Sequence, residues 1–188
     1  MKYQKATTLI EMIVVIGIFS LIFGTIMTIY LSGYKIFKQQ SALVEIQGQT
    51  KLVSSIITNE IKKSDKVVSS RDFAGQTYSS GADTLILELP SIDANQNVIS
   101  GYYDYEVFLK DPTNPKTILE KREVSVQSTR HAETKIISTM IDAVNYTYDY
   151  TTTIEDTNKV TVVVSASNTK YNETQNITFT GAGKLRNK

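Results

Sequence analysis

The hydrophobic pattern of this chain changes abruptly along its length. Residues 12–31 read MIVVIGIFSLIFGTIMTIYL and contain no charged side chain. Twenty helical residues rise about 30 Å, roughly the thickness of the hydrocarbon core of a bilayer. A helix that is apolar on all sides is either a buried core helix or a membrane span. We favour a membrane span, because the rest of the chain is mostly strand-like and offers no shell of helices to bury it.

Beyond this run the apolar residues become periodic rather than continuous. They recur at spacings of three, four and seven, with lysine, glutamine and glutamate between them. Such spacing predicts an amphipathic helix that lays one face on a domain. We therefore expect one helix from about Thr8 to Ser64, with Gly48 as a weak point. Its predicted apolar face consists of Tyr30, Tyr34, Phe37, Val44, Leu52, Ile56, Ile57 and Ile61.

The remainder of the chain predicts a β-rich domain. Short runs rich in Tyr, Thr and Val, which favour strands, alternate with turn residues. Residues 69–82 are predicted to form a polar link, and residues 132–141 a short helix or a loop. The predicted fold class is α+β, a long N-terminal helix packed on a C-terminal antiparallel β-sheet domain. The predicted strands are Thr84–Leu89, Tyr102–Leu109, Ile118–Val126, Val144–Tyr150, Val160–Ser165 and Ile177–Thr180.

Composition excludes several functional classes. The 188 residues include 20 basic and 19 acidic side chains, so bulk charge does not predict a nucleic-acid partner. Cysteine is absent, which excludes thiol catalysis, Cys-ligated zinc and disulfides. The single histidine, His131, is predicted to be a solvated loop residue. Since no nucleophile elbow, phosphate-binding loop or metal cluster is present in the sequence, we expect neither enzymatic activity nor a cofactor.

The beginning of the chain differs from an ordinary signal peptide, which has a shorter apolar core and a small-x-small cleavage site. The leader MKYQKA is very short and carries Lys2 and Lys5. Two hydroxyl residues, Thr7 and Thr8, follow it, and a lone carboxylate, Glu11, lies in the apolar stretch. Because an intramembrane carboxylate needs a partner, Glu11 is a candidate functional residue. The alternative is a glutamate that reaches back to the membrane interface.

The segment Ala6-Thr7-Thr8-Leu9-Ile10-Glu11-Met12 and the apolar run after it resemble the class III signal of type IV pilins and pseudopilins. The resemblance implies that a prepilin peptidase cuts between Ala6 and Thr7 and that Thr7 is then N-methylated. It also implies that Glu11, fifth in the mature chain, pairs with the α-amine of a neighbouring subunit. Two residues depart from the family pattern, since Ala6 replaces glycine and Thr7 replaces phenylalanine.

A second resemblance concerns the β-rich part. A Thr-Leu-Ile-Leu-Glu-Leu strand, a Tyr-Asp-Tyr-Glu-Val-Phe strand and a Val-Asn-Tyr-Thr-Tyr-Asp-Tyr strand occur in this order. The order is similar to that in the J-type pseudopilins of type II secretion and in similarly built minor pilins. The corresponding division of the chain is a leader (1–6), a transmembrane and filament-core segment (7–31), its amphipathic continuation (32–66), a head (67–183) and a basic tail without fixed structure (184–188).

These resemblances imply partners and a location. The expected partners are sibling pilin or pseudopilin subunits, the prepilin peptidase, an inner-membrane assembly platform and membrane lipid. Lys2 and Lys5 predict a cytoplasmic leader, and therefore a single-pass protein with an extracytoplasmic C-terminal domain. After assembly this domain would belong to a pilus or pseudopilus.

Two further sets of residues are candidates for a site. Gly17, Ser20 and Gly24 form a stripe of small residues, which in lipid permits close helix packing, although glycine is also simply common in membrane helices. Asp93, Asn95 and Asn97 have the spacing that begins a calcium loop, with Asp104 eleven residues after Asp93. Turn propensity explains the same residues, since Val98 stands where a calcium loop needs glycine. We favour a hairpin turn.

Two functions are compatible with this sequence. The first is a minor pilin or pseudopilin that joins a filament through its N-terminal helix. The second is a signal-anchored binding module whose β-rich domain captures an extracellular ligand such as DNA, a sugar or a surface protein. The two differ in whether the leader is removed.

Overall fold

The computed structural model of the protein describes residues 8–170 and 173–186. Its first element is helix α1, Leu9–Lys63, which agrees with the predicted helix to within one residue at each end. A β-rich domain follows the helix, so the predicted α+β class is confirmed. The chain divides into two compact units inside α1, one ending at Ala42 and the other beginning at Leu43.

The strands of the second unit are antiparallel and form two sheets and a separate hairpin. One sheet has the order β1-β4-β5-β6-β7, the other has the order β10-β9-β8, and β2 pairs with β3. The strands are β1 (Lys66–Val67), β2 (Ser70–Phe73), β3 (Gln76–Ser79), β4 (Leu85–Ile92), β5 (Val98–Lys110), β6 (Ile118–Glu123), β7 (Glu133–Ser138), β8 (Ala143–Asp149), β9 (Lys159–Lys170) and β10 (Glu173–Lys184). All six predicted strands are present, but β9 and β10 are much longer than expected.

The main core lies between the C-terminal part of α1 and the two sheets. Ile46, Val53, Ile57 and Ile61 recur at spacings of seven and four, so they form one buried stripe on the helix. They belong to the same cluster as side chains from both sheets, including Leu85, Leu87, Leu89, Phe108, Val160, Val162 and Val164. One helical stripe therefore joins the two sheets.

The predicted apolar face of α1 is wrong at several positions. Val44 and Leu52 are 64% and 47% exposed, and the buried stripe passes through Ile46 and Val53 instead. Tyr30, Tyr34 and Phe37 are exposed as well. Since the helix carries apolar residues on more than one side, sequence spacing alone allowed two offset stripes, and packing selected one of them.

Residues 69–82 are not a simple link, because they contain the hairpin β2–β3. Ala74 and Gly75 make its turn with φ values of 51° and 86°, the positive φ pair of a type I′ turn. The hairpin covers the sheet face that points away from α1, where Phe73 and Tyr78 pack edge to face at 5.7 Å above Ile86, Val107 and Leu109. A Phe-Ala-Gly-Gln turn lacks the Asn-Gly or Asp-Gly signal that identifies such hairpins in a sequence.

Two other expectations are corrected. Residues 132–141 include strand β7 rather than a helix or a featureless loop. Within the predicted tail, Leu185 and Arg186 have fixed positions, because Leu185 is only 2% exposed and joins the core, and the Arg186 N–H donates to the Ser64 carbonyl at 2.9 Å. His131 is exposed between β6 and β7, as predicted.

Two glycines of β10 allow this strand to approach α1 closely. A Cβ atom at Gly181 would lie 2.5 Å from Ser54 Oγ, and one at Gly183 would lie 2.6 Å from Ile61 Cγ2. A Cβ atom at Gly48, in contrast, would meet nothing within 4 Å, and Gly48 lies inside an α-helix.

The same substitution is therefore expected to have opposite effects at two positions. Gly183→Ala should lower the free energy of unfolding by about 1–3 kcal/mol, because the new methyl group overlaps the Ile61 side chain. Gly48→Ala should raise it by about 0.5–1 kcal/mol, because alanine favours the helix. Urea unfolding of the full chain in detergent measures both. Equal effects of the two changes would contradict the close approach of β10 to α1.

Candidate functional site

The first turn of α1 contains reciprocal hydrogen bonds between Thr8 and Glu11. The Thr8 backbone N–H donates to Glu11 Oε2 at 2.8 Å, and Thr8 Oγ1 donates to the same oxygen at 3.1 Å. In return, the Glu11 N–H donates to Thr8 Oγ1 at 3.3 Å. This arrangement is a capping box, which satisfies backbone donors at the beginning of a helix.

The capping box gives Glu11 a partner within its own chain. From the sequence, Glu11 is a carboxylate that needs a partner. The pattern Thr-x-x-Glu before an apolar run is a capping signal, so the sequence could also have identified Thr8 as a partner within the chain. Both hydrogen bonds from Thr8 to the carboxylate end on Oε2, and the Glu11 side chain is exposed. A donor from outside the chain can therefore reach the same carboxylate. Ala6 and Thr7, the predicted cleavage and methylation residues, lie outside the described residues.

The apolar part of α1 is long and apolar enough to cross a membrane, and none of its most apolar 18-residue stretch is buried. Soluble monomers rarely expose continuous apolar surface of this extent. Its threonine hydroxyl groups are satisfied within the helix, since Thr25 Oγ1 donates to the Leu21 carbonyl at 2.9 Å and Thr28 Oγ1 to the Gly24 carbonyl at 2.9 Å. Back-bonded hydroxyls are compatible with hydrocarbon surroundings.

The small residues Gly17, Ser20 and Gly24 lie on one side of this helix, separated by three and four positions. A Cβ atom at either glycine would meet nothing within 4 Å, and Ser20 Oγ donates to the Ile16 carbonyl at 2.8 Å. Packing among the described residues therefore does not require the two glycines. The stripe is open to a second helix.

The candidate calcium loop is a tight turn between β4 and β5. Asp93 Oδ1 accepts hydrogen bonds from the backbone N–H groups of Asn95 and Asn97 at 2.8 and 2.9 Å. The pKa of Asp93 is lowered, chiefly by the Asn97 backbone hydrogen bond. The described residues contain no group of three or more His, Cys, Asp or Glu side chains that could hold a metal ion. The Asx-type hydrogen bonds correspond to the favoured turn interpretation.

Asp104 belongs to a separate buried network. Its Oδ1 accepts from Ser91 Oγ at 2.8 Å and from the Ser125 N–H at 3.0 Å, while its Oδ2 accepts from Ser128 Oγ at 2.7 Å and Arg130 Nη1 at 2.6 Å. Burial opposes ionisation, but these hydrogen bonds together lower the pKa of Asp104. The network anchors residues 125–130, the loop that leaves β6, to the sheet.

That anchored loop forms one wall of an open hollow of about 420 Å³. The Arg71 guanidinium lies 3.4 Å from the centre of the Tyr105 ring, and its Nη2 is 3.1 Å from Glu123 Oε2. Burial and a hydrogen bond to Glu88 raise the pKa of Tyr105 to about 12. The remaining lining includes Tyr102, Tyr103 and a fully exposed Val126.

A second cluster of charges, partly buried, lies on the sheet face that points towards α1. Glu106, Arg122 and Glu133 are neighbours across β5, β6 and β7. Arg122 Nε contacts Glu106 Oε1 at 2.5 Å, its Nη2 contacts Glu120 at 2.8 Å, and its Nη1 contacts Glu133 at 3.3 Å. One guanidinium thus serves three carboxylates. Among the described residues, Glu106 Oε2 is buried without a hydrogen-bond partner.

This cluster is not evident from the sequence. In the run Tyr-Asp-Tyr-Glu-Val-Phe, acidic residues alternate with apolar and aromatic ones, a pattern that is typical of a strand with its charged side facing solvent. Glu106 is buried because it lies on the sheet face that α1 covers, and Asp104 is buried where the loop of residues 125–130 is held against the sheet. Desolvation raises the pKa of Glu106 to about 7 despite the attraction of Arg122, and Glu60 on α1 adds negative charge.

A comparison with family models, with curated proteins and with solved structures finds no match to this chain.

The elevated pKa of Glu106 predicts a pH-dependent stability. The ordinary pKa of a glutamate is 4.5, and that of Glu106 in the folded chain is about 7. Between these two pH values the folded chain holds a proton that the unfolded chain releases. The contribution of this group to stability is therefore fully present below pH 4.5 and is lost as the pH rises through about 7. We expect a loss of roughly 3 kcal/mol from this group, at about 1.4 kcal/mol per pKa unit, and Glu106→Gln should abolish it.

Urea unfolding of the full chain in detergent, from about pH 4 to pH 8, measures this difference. Glu133→Gln is the matched control, because Glu133 contacts the same guanidinium but its side chain is 47% exposed and screened by solvent. Parallel pH curves for the native chain and Glu106→Gln would contradict the prediction, because they would show that the pKa of Glu106 is the same in the folded and the unfolded chain.

Proposed function

We propose that this protein is a minor pilin or pseudopilin, a structural subunit of a type IV pilus or type II secretion pseudopilus. The observation that carries the proposal is the carboxylate of Glu11, held by Thr8 at the first turn of an exposed helix long enough to span a membrane. A charged group at this depth indicates a function. The pilin-like leader in front of it supplies a specific partner.

The partner is an α-amine created by proteolysis. Hydrolysis of the Ala6–Thr7 peptide bond leaves a carboxylate on Ala6 and an ammonium group on Thr7. The Thr7 ammonium of one subunit then pairs with Glu11 of its neighbour, with the capping box holding the carboxylate in place. Such a pair is directional, so it sets the axial register between helices even where its net stabilisation is small.

In this proposal the chain performs no chemistry of its own. It is a substrate for the prepilin peptidase and methylase and a partner for sibling subunits and an inner-membrane assembly platform. The apolar part of α1 lies in lipid before assembly and in the filament core afterwards, where the open stripe of Gly17, Ser20 and Gly24 meets a neighbouring helix. The β-rich domain is extracytoplasmic, following the lysines of the leader.

Glu11→Gln separates capping from charge. Glutamine also serves at this position of a capping box, so the helix start and membrane insertion should be retained. The charge that pairs with the ammonium group is lost, and we expect incorporation into filaments to fall about tenfold or more. Immunoblotting of sheared filaments against the membrane fraction, in cells that assemble the filament, measures this ratio.

Thr8→Val is the control for Glu11→Gln, because it removes the capping hydroxyl and keeps the carboxylate. We expect it to assemble better than Glu11→Gln. Glu11→Ala, which removes both functions, should insert normally but assemble as poorly as Glu11→Gln. Normal incorporation of Glu11→Gln would overturn the pairing mechanism, whatever the other two variants do.

The alternative function is a signal-anchored extracytoplasmic binding module. The open hollow lined by Arg71, Tyr102, Tyr103 and Tyr105 favours it, because aromatic side chains beside a few polar groups are typical of ligand sites. In this case the chain keeps its leader and remains a membrane-anchored monomer.

Mass spectrometry of the mature protein distinguishes these functions. For a pilin-like subunit we expect an N-terminus at Thr7 carrying the mass of one added methyl group. For a plain anchor, residues 1–6 remain attached. Ala6→Lys should block cleavage without affecting the apolar helix, since it changes only the residue before the scissile bond. A native, functional chain that retains its leader would contradict the proposed pilin-like processing.

A further inference from the structure

Strand β10 forms an open edge of the three-stranded sheet. It pairs with β9 over twelve consecutive residues without a register shift, and in the described part of the chain no strand pairs with its other side. Residues 174–183 read TQNITFTGAG, with neither charge nor proline. In such a strand every second residue directs its N–H and C=O outward, which makes the edge a template for another strand.

The other edge strands in the described residues are protected. Strand β1 has only two residues, and the edges of the β2–β3 hairpin have four. Strand β7 pairs with β6 through a register shift and carries Glu133 and Lys135. The outer side of β8 is covered, since the Tyr146 N–H donates to the Ala82 carbonyl at 2.8 Å. Bulges, charges, short strands and covering loops are the usual protections of an edge, and β10 has none of them.

The side chains of β10 suit contact with an identical strand. On one face they are small and exposed, comprising Thr174, Asn176, Thr178, Thr180 and Ala182. On the other face Ile177 and Phe179, the latter 38% exposed, line a hollow of about 500 Å³ together with Gln47 and Lys51 of α1. The hollow leaves room for the side chains of an added strand.

We propose that β10 pairs antiparallel with β10 of a second copy of this chain, centred on Thr178. Thr178 then faces its own copy, Asn176 faces Thr180, and Ile177 faces Phe179. These pairs combine hydroxyl and amide groups on one face and apolar groups on the other, and no like charges meet.

A second copy is the favoured occupant because it offers an edge with the same lack of charge. Its other edge strands are protected, so β10 is the edge strand that a copy offers. The contact is therefore isologous, and it closes as a dimer rather than extending into a chain of subunits. This inference does not depend on the proposed filament function, since it concerns the β-rich unit alone.

The absence of cysteine from the native chain provides a direct test. Cβ atoms of directly opposed residues in an antiparallel pair lie about 4.5–5.5 Å apart, close to the range that a disulfide bridges. Thr178→Cys in the full chain, in detergent, should form a disulfide-linked dimer upon oxidation with copper phenanthroline. Thr134→Cys on β7 is the matched control, an exposed threonine on a protected edge. Non-reducing electrophoresis should show at least about tenfold faster dimer formation for Thr178→Cys.

The register is tested with two further single-cysteine chains. Thr174 and Ala182 face each other in the proposed pair, so Thr174→Cys and Ala182→Cys should link when mixed and not when oxidised separately. Association through the membrane helix raises the encounter rate of every variant alike, so it does not produce this pattern. Thr178→Cys linking no faster than Thr134→Cys, or a mixture linking no faster than its components, would overturn the proposal. Circular dichroism checks that each variant remains folded.

Discussion

Burial of one stripe of helix α1 is the constraint on which the β-rich unit depends. Ile46, Val53, Ile57 and Ile61 are almost completely buried and contact a cluster that draws side chains from both sheets. The two sheets have separate strand orders and do not share a ladder in the described residues, so the helix is the element that unites them. Close contact with β10 requires glycine at two positions, because any side chain there would overlap Ser54, Thr58 or Ile61. The glycines of β10 thus allow this strand to pack closely against the C-terminal turns of α1.

Two buried carboxylates illustrate how differently the same fold treats charge. Asp104 receives four hydrogen bonds and holds a loop against the sheet, so its ionised form is stabilised although it is buried. Glu106 shares Arg122 with two other carboxylates, and one of its oxygens has no hydrogen-bond partner among the described residues. Burial of an incompletely satisfied carboxylate disfavours its charge. We therefore expect the pH dependence of stability to arise on the face between helix and sheet.

The helix start and the open strand edge are separate means of association. At the N-terminus, a capping box holds a carboxylate beside an exposed apolar segment, and proteolysis would supply the ammonium group proposed to meet it. In the β-rich unit, β10 presents backbone donors and acceptors with no charge to repel an identical strand. The first depends on electrostatic pairing in an apolar environment, whereas the second depends on backbone hydrogen bonding.

Local composition and periodicity were enough to predict the long helix, the apolar segment and six of the strands, and to select Glu11 as a candidate residue. The sequence did not determine which of two apolar stripes on α1 is buried, as the exposed Val44 and Leu52 show. It also missed β7, the Ala74-Gly75 hairpin and the ordered Leu185, since none of them carries a strong local signal. The partners of Asp104 and Glu106 come from strands and loops distant in sequence. These features depend on tertiary contacts, because α1 and the loop of residues 125–130 bury acidic side chains of β5 that alternation alone assigns to solvent.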